Sequence, residues 1–182
     1  ATLTGAGTNG TDSSTSTATS TNMTANGNSD LTLDFGFIYP KVSVGDYVWY
    51  DVNDDGLQDS TDAPLSGVKL TIKKSDGTPA VDVFGNTVTT TYTNISGAYS
   101  FDNLMPGTYT VSVVAPAGFV PTETGSGTGA TDSSTGSATS VLLTTMDQRD
   151  ETLDFGFWAP PATVGSLVWD DLDKDGLQDA GE

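Results

Sequence analysis

Hydrophobic and polar positions alternate with a period of two in short runs through the middle of the chain, and no stretch shows the spacing of an amphipathic helix. Val68, Leu70 and Ile72 alternate with Lys69, Thr71 and Lys73, and Tyr109, Val111 and Val113 with Thr108, Thr110 and Ser112. Leu153, Phe155 and Phe157 alternate with Asp154 and Gly156. Successive strand side chains point to opposite faces, so each run predicts a half-buried strand, with Lys69, Lys73 and Asp154 turned to solvent. Further apolar runs predict strands over 44–50, 81–84 with 87–93, 98–102 and 141–146. Turn residues separate them at Ser75-Asp76-Gly77, Ser96-Gly97, Met105-Pro106-Gly107 and Pro116-Ala117-Gly118. Seven or eight short strands predict an all-β, antiparallel β-sandwich. The Ser/Thr/Gly stretch 122–140 has no periodicity and reads as a long, solvated surface loop.

The pattern also repeats. Slid by 120 positions, Leu33-Asp34-Phe35-Gly36-Phe37 falls on Leu153-Asp154-Phe155-Gly156-Phe157, Val48-Trp49 on Val168-Trp169, and Gly56-Leu57-Gln58-Asp59 on Gly176-Leu177-Gln178-Asp179. Residues 1–62 match 121–182 at 32 of 62 positions without a gap, more than Thr, Ser and Gly bias can produce. One complete unit is therefore expected over 42–160, with 1–41 the C-terminal part of a preceding unit and 161–182 the N-terminal part of a following one. Such a chain reads as a window on a longer tandem array. The junction Trp158-Ala159-Pro160-Pro161-Ala162 is short and restricted by two prolines, which favours a rod over loosely strung domains.

Charge changes the picture most. Twenty-four acids against 6 bases give a formal charge of −18, which disfavours nucleic acid and anionic lipid as partners and favours cations. With no His and no Cys, the chain has no material for disulfides, zinc sites, haem ligation or a His- or Cys-based triad. No apolar run approaches the roughly 20 residues of a membrane span, so none of this segment is expected to insert in a bilayer.

The acids concentrate after the first predicted strand. Asp51, Asn53, Asp55, Leu57, Asp59 and Asp62 occupy positions 1, 3, 5, 7, 9 and 12 of an EF-hand-type loop with Gly56 at position 6. The next unit repeats the pattern with Asp171, Asp173, Asp175, Leu177, Asp179, Glu182 and Gly176. Calcium takes six to eight hard oxygens, and alternate residues of a tight loop supply them, position 7 through its carbonyl. Between the copies the side-chain ligand positions exchange only among Asp, Asn and Glu, while position 4 swings from Asp54 to Lys174. The competing reading is a solvated acidic turn. Carboxylates about 4 Å apart repel by up to roughly 4 kcal/mol per pair at an effective dielectric near 20, which favours a filled loop. A strand precedes each loop, so no sensor-type helix opening is expected. Asp132 and Asp154, with their counterparts Asp12 and Asp34, are weaker candidates for a second metal site. Three N-glycosylation triplets begin at Asn9, Asn22 and Asn94 and carry little weight in a Thr-rich chain.

In order, Val44-Gly45-Asp46-Tyr47-Val48-Trp49-Tyr50-Asp51, the acidic loop, Gly97-Ala98-Tyr99-Ser100-Phe101, Leu104-Met105-Pro106-Gly107-Thr108-Tyr109-Thr110-Val111 and Pro116-Ala117-Gly118-Phe119 resemble the SdrD-type B repeat of bacterial serine-aspartate-repeat surface adhesins, a branch of the Cna-B-like sandwiches. The resemblance covers 42–157. It implies an extracellular, cell-surface stalk of tandem domains stiffened by calcium, with neighbouring repeats, or other copies in a filament, as partners. It carries the ligand roles onto the two loops just named, with Asp62 where the last ligand is usually Glu. Many Cna-B relatives carry a Lys–Asn isopeptide bond. Here the first strand has no Lys and the last no Asn, so none is expected, short of a variant pairing such as Lys69 with Asp154. An enzyme is not expected. The other readings are a ligand- or carbohydrate-binding adhesin module, with Tyr39, Tyr92 or Trp158 as its aromatic platform, and a self-assembling filament subunit.

Overall fold

The alternating runs become the two central strands of one layer. In the computed structural model, which describes residues 17–128, 131–165, 168, 170–172 and 174–177, Lys69–Lys74 (β4) pairs antiparallel with Tyr109–Val113 (β9), Leu70 opposite Val113 and Ile72 opposite Val111. Ser137–Thr139 (β11) and Thr90–Tyr92 (β7) flank them in the order β11-β9-β4-β7.

The opposing layer is built from the first and last strands of the unit. Val42–Val44 (β1) runs parallel to Arg149–Asp150 (β12) and antiparallel to Phe101–Leu104 (β8). Beyond a bend in each chain, Val48–Tyr50 (β2) runs parallel to Phe155–Trp158 (β13), with Ala63–Pro64 (β3) and Val120–Pro121 (β10) at the edges. Ala80–Val81 (β5) and Thr87–Val88 (β6) form a separate hairpin. Val42, Val44, Val48, Phe155 and Phe157 from one layer and Leu70, Ile72, Tyr109 and Val111 from the other fill the core. The described residues contain thirteen short strands, all between Val42 and Trp158, and no helix long and apolar enough to cross a membrane.

The expected sandwich is therefore present, with local departures. Residues 141–146 do not form a strand, because only Leu143 turns inward, bonding Gly107 through both backbone groups, while Val141 and Leu142 are exposed. The 81–84 run is mostly hairpin turn, with Phe84 74% exposed. The stretch 122–140 is no free loop: it supplies β11 and buries Thr122, Ser133 and Ser140.

The largest correction is Asp154, expected at the surface and fully buried. The period-two rule fails there because Asp154 lies in the bend before β13, turned against the bend between β1 and β2. The outward face of β13 is closed as well: a Cβ on Gly156 would come within 2.7 Å of the Trp49 ring and 2.6 Å of the Thr122 methyl. Lys69 is exposed on the other layer, so the Lys69–Asp154 pairing is not made.

Candidate cation-binding loops

Where β2 ends, Asp51 is drawn wholly inside, and the chain turns around its carboxylate. Asp51 Oδ2 accepts the Gly56 N–H at 2.9 Å and the Thr122 hydroxyl; Oδ1 accepts the Asp55 N–H at 3.3 Å. Asp55 Oδ1 accepts the Leu57 N–H at 2.9 Å, and Asn53 Nδ2 donates to Asp55 Oδ2 at 2.8 Å. Asp62 reaches back across the loop, its two oxygens accepting the N–H groups of Val52 at 3.2 Å and Asp59 at 2.9 Å. The turn needs left-handed backbone at positions 4 and 6, and Asp54 (φ 55°) and Gly56 (φ 75°) supply it. Gly56 is also required for space, since a Cβ would stand 2.8 Å from the Glu123 carbonyl oxygen.

The loop rests on the segment expected to be free. The Thr122 hydroxyl also lies 3.2 Å from Asp54 Oδ1, the Gln58 N–H bonds the Thr131 carbonyl at 2.9 Å, and Leu57 bridges to Asp132. Asp132 Oδ1 in turn accepts the N–H groups of Gly125 at 2.7 Å and Ser126 at 3.2 Å. Thr122 is thus a site residue that pattern reading missed. The only signal in the sequence is indirect: an acidic loop after β2 needs a donor beside it, and 122–140 is the hydroxyl-rich stretch.

Over its described residues, 171–172 and 174–177, the second copy repeats the turn. Lys174 (φ 63°) and Gly176 (φ 81°) repeat the left-handed pair, the Gly176 N–H reaches Asp171 Oδ2 at 3.1 Å, and the Leu177 N–H reaches Asp175 Oδ1 at 2.8 Å. Among the described residues, Asp171 Oδ1 is buried without a hydrogen-bond partner. Asp173, Asp179 and Glu182, like Asp12, lie outside the described residues.

The donor set fits a hard divalent cation. Its side chains offer only carboxylate and amide oxygens, Gly sits at the sharp bend, and the N–H groups pointing into the loop hold the carboxylates together. Among the described residues no three acids yet converge as a cage, because the carboxylates bind backbone N–H groups. Crowding is registered in the charges. Burial pushes the Asp62 carboxyl above its ordinary pKa, helped by the charges of Asp51 and Asp59, while hydrogen bonds from Thr61 hold Asp59 below its own.

The weaker acids occupy separate settings. Asp132 supports the loop from outside, Asp34 is exposed, and Asp154 faces Asp46 inside the strand bends. Neither oxygen of Asp154 meets a conventional donor. Burial, then the Asp46 charge, pushes its pKa up to about 8, and burial also raises Asp46. A proton held on Asp154 would let it donate one hydrogen bond to Asp46, linking the bend before β13 to the bend after β1. Of the aromatic candidates, Tyr92 lies on the edge strand β7, Trp158 pairs with Val120 on β10, and Tyr39 precedes β1.

Fold and loop together define a β-sandwich carrying an acidic loop between its second and third strands. The family model of the SdrD B-like domain matches residues 42–157, and the chain belongs to that family. Among curated proteins it is 42% identical over 152 residues to serine-aspartate repeat-containing protein F of Staphylococcus epidermidis, covering 83% of this chain and 8% of that protein. It is 40% identical over 157 residues to serine-aspartate repeat-containing protein D of Staphylococcus aureus, covering 86% and 11% respectively. The chain thus spans a small fraction of the curated relatives it matches. Among solved structures it resembles the minor pilin GBS52 of Streptococcus agalactiae at 13% identity and a TM-score of 0.46, covering 71% of this chain and 50% of that one.

Proposed function

We propose that this chain is a calcium-stiffened structural repeat from the stalk of an extracellular bacterial surface protein, giving reach and rigidity and not catalysis. The observation that carries the reading is the recurrence of one loop backbone in two copies, with the same left-handed positions and the same Gly N–H to Asp bond. Asp51, Asn53, Asp55, Asp59 and Asp62 with the Leu57 carbonyl would hold the ion in the complete unit. Asp171, Asp173, Asp175, Asp179 and Glu182 with the Leu177 carbonyl would hold it in the next. Bound there, the ion supplies charge neutralisation and a fixed centre for the turn. The protein's part is to seat that turn: through Thr122 and Thr131 it is tied to the segment beyond β10, so ordering the loop also braces the edge of the sheet.

The topology suits load. The chain enters at β1 and leaves at β13, and the first and last strands run parallel through β1–β12 and β2–β13. Tension between the ends therefore shears whole ladders of hydrogen bonds instead of opening them one by one. If free calcium stands at 100 times the dissociation constant, occupancy adds about 2.7 kcal/mol to folding stability per site. That is a sizeable share of the usual 5–15 kcal/mol total. Calcium should raise the melting temperature by several degrees over EDTA and slow proteolysis within 51–62. A melting curve unmoved by calcium, with no heat of binding on titration, would rule the reading out.

A further inference from the structure

Near the start of β1 the surface carries an apolar hollow of about 410 Å³ lined by Phe37, Ile38, Tyr39, Val83, Phe84 and Met146, with Lys41 at its rim. Phe84 and Met146 come from the complete unit and are 74% and 45% exposed, although neither touches the acidic loop chemistry. Phe37, Ile38 and Tyr39 are, by the 120-residue offset, the counterparts of Phe157, Trp158 and Ala159, the end of the last strand. One wall of the hollow is therefore the end of the preceding unit, in which Phe37 matches a core position and Ile38 and Tyr39 face the seat.

From these positions we infer that the Val83–Phe84–Met146 face is a docking seat for the C-terminal end of the preceding repeat, so that successive units lock end to end. This rests on the tandem-stalk reading but not on calcium. Three observations select that occupant. Only residues 39–41 separate the counterpart of Trp158 from β1, a span of roughly 10 Å at full extension, so the preceding unit's end cannot move far from the hollow. The chain is pinned beside it, because the Asp147 N–H bonds the Lys41 carbonyl at 2.8 Å and Lys41 Nζ stands 3.3 Å from Asp147 Oδ1. The matching end of the complete unit is apolar too, with Val52 and Val120 exposed beside the last strand. An apolar end thus meets an apolar seat across a tether too short to let them part.

The absence of Cys makes the test direct. Ile38→Cys and Phe84→Cys introduced together in the 182-residue chain are treated with a short bifunctional thiol reagent, with calcium and with EDTA. Intramolecular linkage should proceed about tenfold faster than in an Ile38→Cys/Ile95→Cys control, Ile95 being exposed near the opposite end of β1–β2, because docking raises the local thiol concentration. In parallel, Phe84→Ser should speed tryptic cleavage after Lys41 while leaving the melting temperature in place. Equal linkage rates for the two pairs, or cleavage after Lys41 indifferent to Phe84→Ser, would overturn the docking seat. A calcium-independent melting curve with fast Ile38–Phe84 linkage would overturn the calcium reading alone.

Discussion

The same five residues, Leu-Asp-Phe-Gly-Phe, occur at 33–37 and at 153–157 with opposite fates. Phe155 and Phe157 are 0% and 1% exposed, against 48% and 81% for Phe35 and Phe37. Yet the short-range bonds around the two copies agree. Asp150 accepts the Thr152 N–H at 3.1 Å and hydroxyl at 2.7 Å and the Val141 N–H at 2.8 Å; Asp30 accepts those of Thr32 at 3.0 and 2.6 Å and the Thr21 N–H at 2.9 Å. The acidic loops agree in the same way. Turns closed within about a dozen residues are thus written locally, whereas burial is conferred by distant strands, here β2 and β10 on either side of β13. A repeat unit of this kind carries its site in its local sequence and its stability in its long-range pairing.

The sharpest way to break that comparison is to truncate matched aromatics. Phe155→Ala should destabilise the protein by about 3–5 kcal/mol, since it empties a closed core position, whereas Phe35→Ala should stay within about 0.5 kcal/mol. Denaturant melts of the two variants measure both. Comparable losses would mean that the 17–40 segment is packed as deeply as its counterpart.

How much was legible follows from the same division. Period-two runs placed β4 and β9, and ligand spacing placed the acidic loop, because each depends on neighbours a few residues apart. Strands β3, β10, β11 and β12 are two or three residues long, and a run that short has no periodicity to read. Asp154 escapes the rule because alternation presumes one wet face, and no local rule reveals that the bend after β1 covers Asp154 while Trp49 covers Gly156. Gly156 held the clue, since glycine inside a strand often marks close approach of another group. Thr122 was hidden for a similar reason, its partner Asp51 being 71 residues away.

Asp154 offers a second, smaller contrast. Its folded pKa, about 8, lies above the ordinary carboxylate value, so the folded state holds a proton that the unfolded chain releases. This contribution is complete below the unfolded pKa, declines as pH rises from about 4, and is gone above about 8. In EDTA, stability should therefore fall steadily as pH rises across that window. Asp154→Asn keeps the shape, donates to Asp46 and cannot ionise, so it should flatten the fall and stabilise the protein at pH 8. Asp34→Asn, at the exposed counterpart, should leave the profile as it was. A profile equally steep with Asn at position 154 would remove the shared proton from the account. Lower calcium affinity in that variant would return Asp154 to the ligand set.

The smallest effect separates the two loops themselves. Their left-handed turns match at positions 4 and 6, but the 51–62 loop is held by Thr122 and ends in Asp62, while the next copy has in sequence Glu182, whose longer side chain reaches a cation in bidentate fashion more readily. Preorganisation favours the first loop and ligand reach the second. Removing the brace isolates one term: Thr122→Val keeps the volume but leaves Asp51 Oδ2 without its hydroxyl donor, an interaction with a charged group worth about 1.5–3 kcal/mol. Without it the ion-free loop relaxes away from the turn that binding requires, and part of that loss reappears as the cost of re-ordering the loop around the ion. Calcium affinity at the 51–62 loop should therefore drop about tenfold, the equivalent of about 1.4 kcal/mol, with the second site unchanged. Calorimetric titration resolves the two classes, and Asp171→Asn assigns them by weakening the other. Were Thr122→Val to weaken both sites equally, the brace would belong to the whole sandwich; were it to weaken neither, the loop would be as self-sufficient in the complete unit as its local bonds make it in the next.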